Sequence, residues 1–176
     1  MSALPAMVDR RAPLRPGELL AHLESQVESS RRLLQALISQ TEAIRDHKVE
    51  DVLLRLRDIQ VEVAGRARIE LDREALLERA GHALGLAPDV VDLNAMLPLL
   101  PLEERAPALA LSAELKGLVK EIERVHAHNR ILIRQELAFV DHLLRAMSGT
   151  PQGGYTPQGA AGTPAPVQLA TLDFRA

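Results

Sequence analysis

Residues 111–147 read LSAELKGLVKEIERVHAHNRILIRQELAFVDHLLRAM, and their apolar residues recur at the spacing of an α-helix. The first part of this stripe takes steps of four, three, four and three residues, through Leu111, Leu115, Leu118, Ile122 and Val125. The next step reaches an amide, Asn129, and the stripe then resumes one position over, through Leu132, Ile133, Leu137, Val140, Leu144 and Met147. A helix over residues 104–147 would be roughly 65 Å long at about 1.5 Å per residue. A helix of this length needs other helices or proteins along it to cover its apolar stripe.

The composition favours an all-α fold. Apolar residues make up 47% of the chain, yet aromatic residues make up only 2% of it. Leu, Ala, Val and Ile therefore supply the apolar volume, and they pack well along helix seams, whereas sandwiches and barrels bury many aromatic side chains. We expect long antiparallel helices packed as a coiled-coil-like bundle.

Charge and cysteine usage narrow the possible partners and compartment. The 21 basic and 24 acidic residues nearly cancel, which argues against a nucleic-acid partner and against binding to an anionic membrane. No cysteine occurs, which fits a reducing compartment. The first 16 residues lack a signal-peptide core, and no apolar run approaches the roughly 20 residues of a membrane span. We expect a cytoplasmic protein that is not membrane-embedded.

Local signals divide the chain into three regions. Residues 1–16 contain three prolines and no periodicity, which predicts a disordered arm. Residues 149–176 are rich in Gly, Pro, Gln and Ala, which predicts a flexible tail. Between them, 17–148 form the helical domain. Its expected helices are about 18–46, 49–81, 89–97 and 104–147.

The first two helices carry apolar stripes. The first stripe keeps a strict alternation of three and four, through Leu20, Leu23, Val27, Ser30, Leu34, Leu37, Thr41 and Ile44. Asp46 suits the N-cap of the second helix. The second stripe follows Val49, Val52, Leu56, Ile59, Val63 and Ala67. Gly65 lies inside this helix, where it marks a close approach or a bend.

A proline-broken connector leads to the last helix. Pro88, Pro98 and Pro101 divide a segment that is rich in leucine between Leu93 and Leu102. These side chains are too apolar to lie together in water, so we expect the connector to fold back onto the bundle. The alternative is an exposed docking patch.

The sequence offers no support for an enzyme. It contains no nucleotide-binding loop. His126 and His128 would point about 200° apart on a helix, so they would not chelate one ion together. Carboxylate pairs such as Glu103 and Glu104 are explained by helix starts. We expect no catalytic residue, no metal and no cofactor.

Asn129 has two interpretations. An amide on an apolar stripe penalises every register in which it lacks a partner, so it is typical of register specification. The other interpretation is a direct role in binding.

Three segments resemble the FlgN family of flagellar type III export chaperones. Residues 125–133 are similar to an Asn-x-x-Asn segment followed by an apolar pair, with His126 at the first Asn and Asn129 at the second. Residues 154–159 resemble a Tyr-Gly-Pro-Asp-Gly element, with Tyr155, Pro157 and Gly159 at the matching spacing. Residues 81–86 sit where the family has a Leu-Gly-Leu-like break after its second helix.

The resemblance implies a cytoplasmic chaperone for the hook-filament junction proteins FlgK and FlgL, with transient binding to the export-gate component FlhA. Helix-in-groove recognition uses apolar anchors at the spacing of the last helix. We expect cargo to bind at Asn129, Leu132, Ile133, Leu137, Val140, Leu144 and Met147. For the export gate or tail docking we expect Tyr155, Pro157 and Gly159, while Val167, Leu169, Leu172 and Phe174 form a further strip whose partner is not identified. The alternative function is a structural or adaptor coiled coil that self-associates without dedicated cargo.

Overall fold

The computed structural model describes residues 14–147, so the tail and all but the end of the N-terminal arm lie outside the described residues. Four helices occur there, and two 3-10 turns flank the third: α1 (Glu18–Arg45), α2 (Val49–Leu84), α3 (Leu93–Met96) and α4 (Leu102–Met147). The described part contains no strand, and the all-α prediction is confirmed. The chain divides into two compact units at Leu137, so the end of α4 from Ala138 is described by itself. None of these helices has the length and apolarity to cross a membrane.

Helices α1 and α2 run antiparallel. Glu18 at the start of α1 pairs with Arg79 near the end of α2. Further along α1, Arg32 Nε donates to Glu62 Oε1 at 2.9 Å, so residue numbers rise on one helix as they fall on the other. The short turn at residues 46–48 requires this arrangement.

Helix α4 instead runs parallel to α1. Glu104 Oε1 accepts from the backbone N–H of Gly17 at 2.8 Å, just before α1 begins. Later on both helices, Arg31 Nε donates to Glu114 Oε1 at 3.0 Å. The connector between α2 and α4 returns the chain to the start of α1, so only consecutive long helices are antiparallel.

Helix α1 buries more surface than its predicted seam. The seam residues Leu23, Val27, Ser30, Leu37 and Ile44 are buried. A second row is buried beside them, through Leu19, Ser29, Leu33, Gln40 and Ala43. Two rows are covered because α2 and α4 both contact α1, which is therefore the central helix.

The start of α1 lies in the larger apolar cluster. This cluster brings together α1, the end of α2, the connector and the start of α4, through Leu19, Leu23, Leu76, Ala80, Val91, Met96, Leu100 and Ala108. Three of these residues belong to the connector, and Leu93, Leu97 and Leu99 pack against the cluster from its edge. The prediction that the connector folds back is confirmed.

The connector does not form the single helix expected over 89–97. It contains a 3-10 turn at Pro88–Val90, helix α3 and a second 3-10 turn at Leu97–Leu99. Asp92 interrupts the helix because its Oδ1 accepts from Ala95 N at 2.8 Å, which caps a new start. Pro98 has no N–H to continue α3.

The turn between α1 and α2 corrects the prediction for Asp46. Asp46 is the C-cap of α1 rather than the N-cap of α2, and Lys48 precedes α2 without a side-chain cap. His47 takes the left-handed conformation, with φ of 56°, and Lys48 N donates to Ala43 O at 3.0 Å. This is the hydrogen bond of a Schellman ending, built without the glycine that usually occupies it.

Helix α2 is buried only near its end, at Leu76, Arg79, Ala80 and Gly81. The predicted stripe is therefore wrong at Val49, Leu56 and Ala67, which are exposed, while Val52, Ile59 and Val63 are half-buried. Periodicity identified apolar residues but not the direction in which α1 lies.

The two glycines of α2 occupy different surroundings. A Cβ on Gly81 would lie 2.7 Å from the carbonyl oxygen of Leu86. Helix α2 continues past Gly81 to Leu84, and Gly85 ends it with φ of 69°. A Cβ on Gly65 would have no neighbouring atom within 4 Å, so Gly65 marks no close approach.

These surroundings predict opposite effects of the same substitution. Gly65→Ala raises the free energy of unfolding by about 1 kcal/mol, because alanine is the better helix former. Gly81→Ala lowers it by roughly 1–3 kcal/mol, as overpacking does, because the Leu86 carbonyl must move. Urea titration of both variants, followed by circular dichroism, measures the changes. Stabilisation by both substitutions would contradict the close approach at Gly81.

A partly buried ion pair connects the start of α1 to the end of α2. Arg79 is 5% exposed, and its Nη1 donates to Glu18 Oε2 at 2.9 Å. This hydrogen bond from Arg79 holds the pKa of Glu18 below its ordinary value, although burial partly opposes it. Arg79 Nε also donates to the Ala75 carbonyl at 3.2 Å, which leaves the guanidinium well satisfied.

The direction of the Glu18 pKa shift predicts a pH dependence of stability. The folded state binds a proton on Glu18 less readily than the unfolded chain, so the contribution is present above the ordinary pKa and is lost as the pH falls through the folded pKa. Glu18→Gln lowers stability at neutral pH and flattens the acid limb of the profile. Urea titrations at a series of acidic pH values test this, with the exposed Glu24→Gln as control. An unchanged acid limb in Glu18→Gln would contradict the assignment.

Candidate functional site

The side chain of Asn129 lies inside the bundle. It is 1% exposed, and its hydrogen bonds are with α1. Its Nδ2 donates to the Leu37 carbonyl at 2.8 Å and to Gln40 Oε1 at 3.2 Å. Its Oδ1 lies 2.6 Å from Thr41 Oγ1, whose single hydrogen also lies within reach of the Leu37 carbonyl, 3.0 Å away.

This arrangement favours register specification over direct binding for Asn129. Both amide hydrogens and the carbonyl oxygen have partners on one helix, so the amide has no free group to offer a ligand. A slip of α4 by one turn would take the amide away from these partners and leave it unpaired inside the bundle. The sequence identified the amide but not Gln40, which lies outside the predicted seam of α1.

The Asn129 cluster predicts a stability cost for its removal. Asn129→Ala lowers the free energy of unfolding by roughly 2 kcal/mol, because it leaves the buried Gln40 amide without its partner. Asn129→Asp preserves the shape but removes the two donors, and it is destabilising as well. Asn94→Ala, at an exposed asparagine, is the matched control. Urea titration that finds all three variants within about 0.5 kcal/mol of the parent would contradict the cluster's role.

A groove lies between α1 and α4 beside this cluster. It has a volume of about 350 Å³ and is lined by Ile38, Thr41, Glu42, Arg45, Arg124, Val125 and His128. It lies before Asn129 on α4, whereas the sequence placed the cargo groove after it. Its lining mixes charged and apolar side chains.

The predicted cargo residues differ in exposure along α4. Leu132 and Ile133 are half-buried, because this part of α4 still faces the bundle. Leu137, the last residue of the first unit, is 64% exposed. The predicted cargo residues therefore differ in accessibility, because Asn129 is buried whereas Leu137 is exposed.

The end of α4, from Ala138 onward, is exposed at every residue. The predicted residues Val140, Leu144 and Met147 are 47–83% exposed. Phe139 and Leu143 are also exposed, and the sequence reasoning missed them because it followed a single stripe. Their spacing of four residues was the available signal. Large apolar side chains thus cover more than one side of this helical end, an arrangement typical of an interaction surface.

The predicted tail residues Tyr155, Pro157 and Gly159 lie outside the described residues, as do Val167, Leu169, Leu172 and Phe174. Within the described part, no group of three or more His, Cys, Asp or Glu side chains is placed to hold a metal ion.

Comparison with known protein families adds a further finding. The model of the FlgN protein family matches residues 16–163, which is most of the chain. The chain belongs to the FlgN family. No curated protein matches it in the same comparisons. No solved structure matches it either. Membership of the FlgN family indicates a role of the flagellar export chaperone kind, and the match includes all of α1 to α4 as well as Tyr155.

Proposed function

We propose that this FlgN-family protein binds the hook-filament junction proteins FlgK and FlgL in the cytoplasm. It keeps them from assembling early and delivers them to the type III export gate through transient contact with FlhA. The observation that carries the proposal is the apolar end of α4, where Val140, Leu144 and Met147 are exposed. Family membership supports the chaperone role, and the exposed side chains supply a place for cargo.

The cargo is an apolar helical segment that packs along the stripe through Ile133, Leu137, Val140, Leu144 and Met147. A junction-protein segment that becomes helical only on assembly leaves its own apolar face exposed before assembly. Steps of four and three residues let such a helix insert anchors between those of α4. Leucine and methionine adapt to different partners, which suits two related cargoes. Asn129 contributes indirectly, from inside the bundle, because it fixes the register of the preceding part of α4 on α1.

Two substitutions on the stripe test the cargo proposal. Leu137→Asp combined with Leu144→Asp weakens binding of FlgK and FlgL by at least about 100-fold, because each buried leucine contributes roughly 2 kcal/mol and each carboxylate would be desolvated. Both residues are exposed, so the helical content stays unchanged. Isothermal titration calorimetry with each purified cargo measures the affinities.

The chain offers a closely matched control for this variant. Leu102 and Leu109 are also exposed leucines on α4, and they have the same separation of seven residues. Leu102→Asp combined with Leu109→Asp adds the same charge far from the stripe and keeps the parent affinity. Equal loss in both double variants, or no loss in either, would contradict the proposed site.

Tyr155 is proposed as the anchor for the export gate, together with Pro157 and Gly159. A tyrosine supplies a large contact area for little loss of side-chain entropy. Tyr155→Ala therefore lowers affinity for FlhA and reduces export, while calorimetry finds cargo affinity unchanged. Normal export and normal FlhA affinity in this variant would contradict the assignment.

A self-associating structural protein is the second candidate function. The exposed apolar residues of α2 favour it, because they lie outside the proposed cargo stripe. That function requires a fixed oligomer and no stoichiometric cargo, so the two candidates are separated by whether FlgK or FlgL accompanies the protein from its host.

A further inference from the structure

The outward side of α2 carries a row of apolar side chains that we call the α2 face. Four large members, Val49, Leu53, Leu56 and Leu71, are 42–69% exposed. Exposed residues without large apolar side chains complete the row, namely Gln60, Ala64 and Ala67. At about 100° per residue these seven positions fall within an arc of roughly 80°. A helix surface that contacts only water does not require a row of large apolar side chains.

The spacing of the α2 face reads the same in both directions. From Val49 to Leu71 the steps are four, three, four, four, three and four, with Gln60 at the centre. Two copies of such a row match each other when the helices run antiparallel, and Gln60 then faces Gln60 of the second copy. A two-fold interface requires this match, because residue i of one copy contacts residue j of the other, and residue j of the first copy then contacts residue i of the second.

The sizes of the facing side chains are complementary in that register. Leu53 faces Ala67 of the second copy, and Leu56 faces Ala64. A large side chain opposite a small one allows two helices to approach closely and fill the space between them. At the outer ends Val49 faces Leu71, which closes the row with two exposed apolar residues.

One pair of charges beside the row is complementary, whereas Arg57, about 60° from Gln60 on the same flank, lies near its own counterpart. Glu50 and Arg68 lie on the same flank of the α2 face, each about 80° from Gln60 around the helix. The two-fold operation brings that flank against itself in reverse, so Glu50 of one copy lies beside Arg68 of the other. Oppositely charged flanking pairs set partner choice and orientation in paired helices. The dimer would contain this ion pair twice.

We propose that the α2 face binds a second copy of this chain, as an antiparallel α2–α2 homodimer centred on Gln60. This interface goes beyond the proposed chaperone function and uses none of the residues assigned to cargo or to the export gate.

Cysteine cross-linking of the full chain tests the register directly, because the natural sequence has no cysteine. Gln60→Cys forms a disulfide with itself. Leu56→Cys cross-links with Ala64→Cys on a size-tagged second chain. Leu56→Cys does not cross-link with itself, because its two copies are eight residues apart along the axis, about 12 Å, beyond the reach of a disulfide. Leu102→Cys, at another exposed leucine, reports random collisions.

Self cross-linking of Leu56→Cys at the rate of the mixed pair would overturn the register, and Gln60→Cys cross-linking no faster than Leu102→Cys would overturn the interface.

Sedimentation velocity supplies an independent measurement. Leu53→Glu raises the dimer dissociation constant by about 100-fold or more, since the change occurs twice in a symmetric dimer, while Leu109→Glu leaves it unchanged. A parent chain that stays monomeric up to about 100 μM would overturn the proposal, whether or not cargo binds, because Kd values of this order mark only marginal association.

Discussion

The hydrogen bond from Asn129 to the Leu37 carbonyl fixes how α4 lies on α1. The other contacts between these helices agree with it, since Glu104 meets Gly17 before it and Glu136 Oε2 lies 3.2 Å from His47 Nδ1 beyond it. Seams of Leu and Val tolerate a slip of one turn, because one aliphatic contact resembles the next. A buried amide does not, because an unpaired donor costs roughly 1–3 kcal/mol. One polar group therefore selects among packings that the apolar residues alone would leave close in energy.

Periodicity in the sequence predicted the long helices, and α1 begins after Gly17 as expected, whereas α2 continues past the predicted end at residue 81 to Leu84. It did not predict which neighbour covers each side. Helix α1 buries two rows because two helices contact it, whereas much of the predicted stripe on α2 is exposed. The turn between α1 and α2 lies where the sequence predicted it, but Asp46 is the C-cap of α1 rather than the N-cap of α2. A backbone hydrogen bond closes the turn, and neither Asp46 nor His47 indicates that bond in the sequence.

Periodicity in the sequence also predicted the candidate site, and again it did not predict which side chains other helices cover. The stripe after Asn129 was visible in the sequence, and Leu137, Val140, Leu144 and Met147 are accessible in the structure. Phe139 and Leu143 were missed because a single seam was followed where the helix is apolar on more than one side. Whether such residues turn inward or outward is a tertiary property. A protein that leaves them exposed loses solubility unless a partner covers them, and that requirement fits the work of an export chaperone.

We propose above all that this FlgN-family chain carries junction-protein cargo. The most direct test is to purify the tagged full-length protein from its own host under mild conditions and to measure the stoichiometry of accompanying proteins by mass spectrometry. We expect FlgK or FlgL at near-equal amounts. Repeated recovery of the chain without either protein, alone or only as its own oligomer, would contradict the proposal.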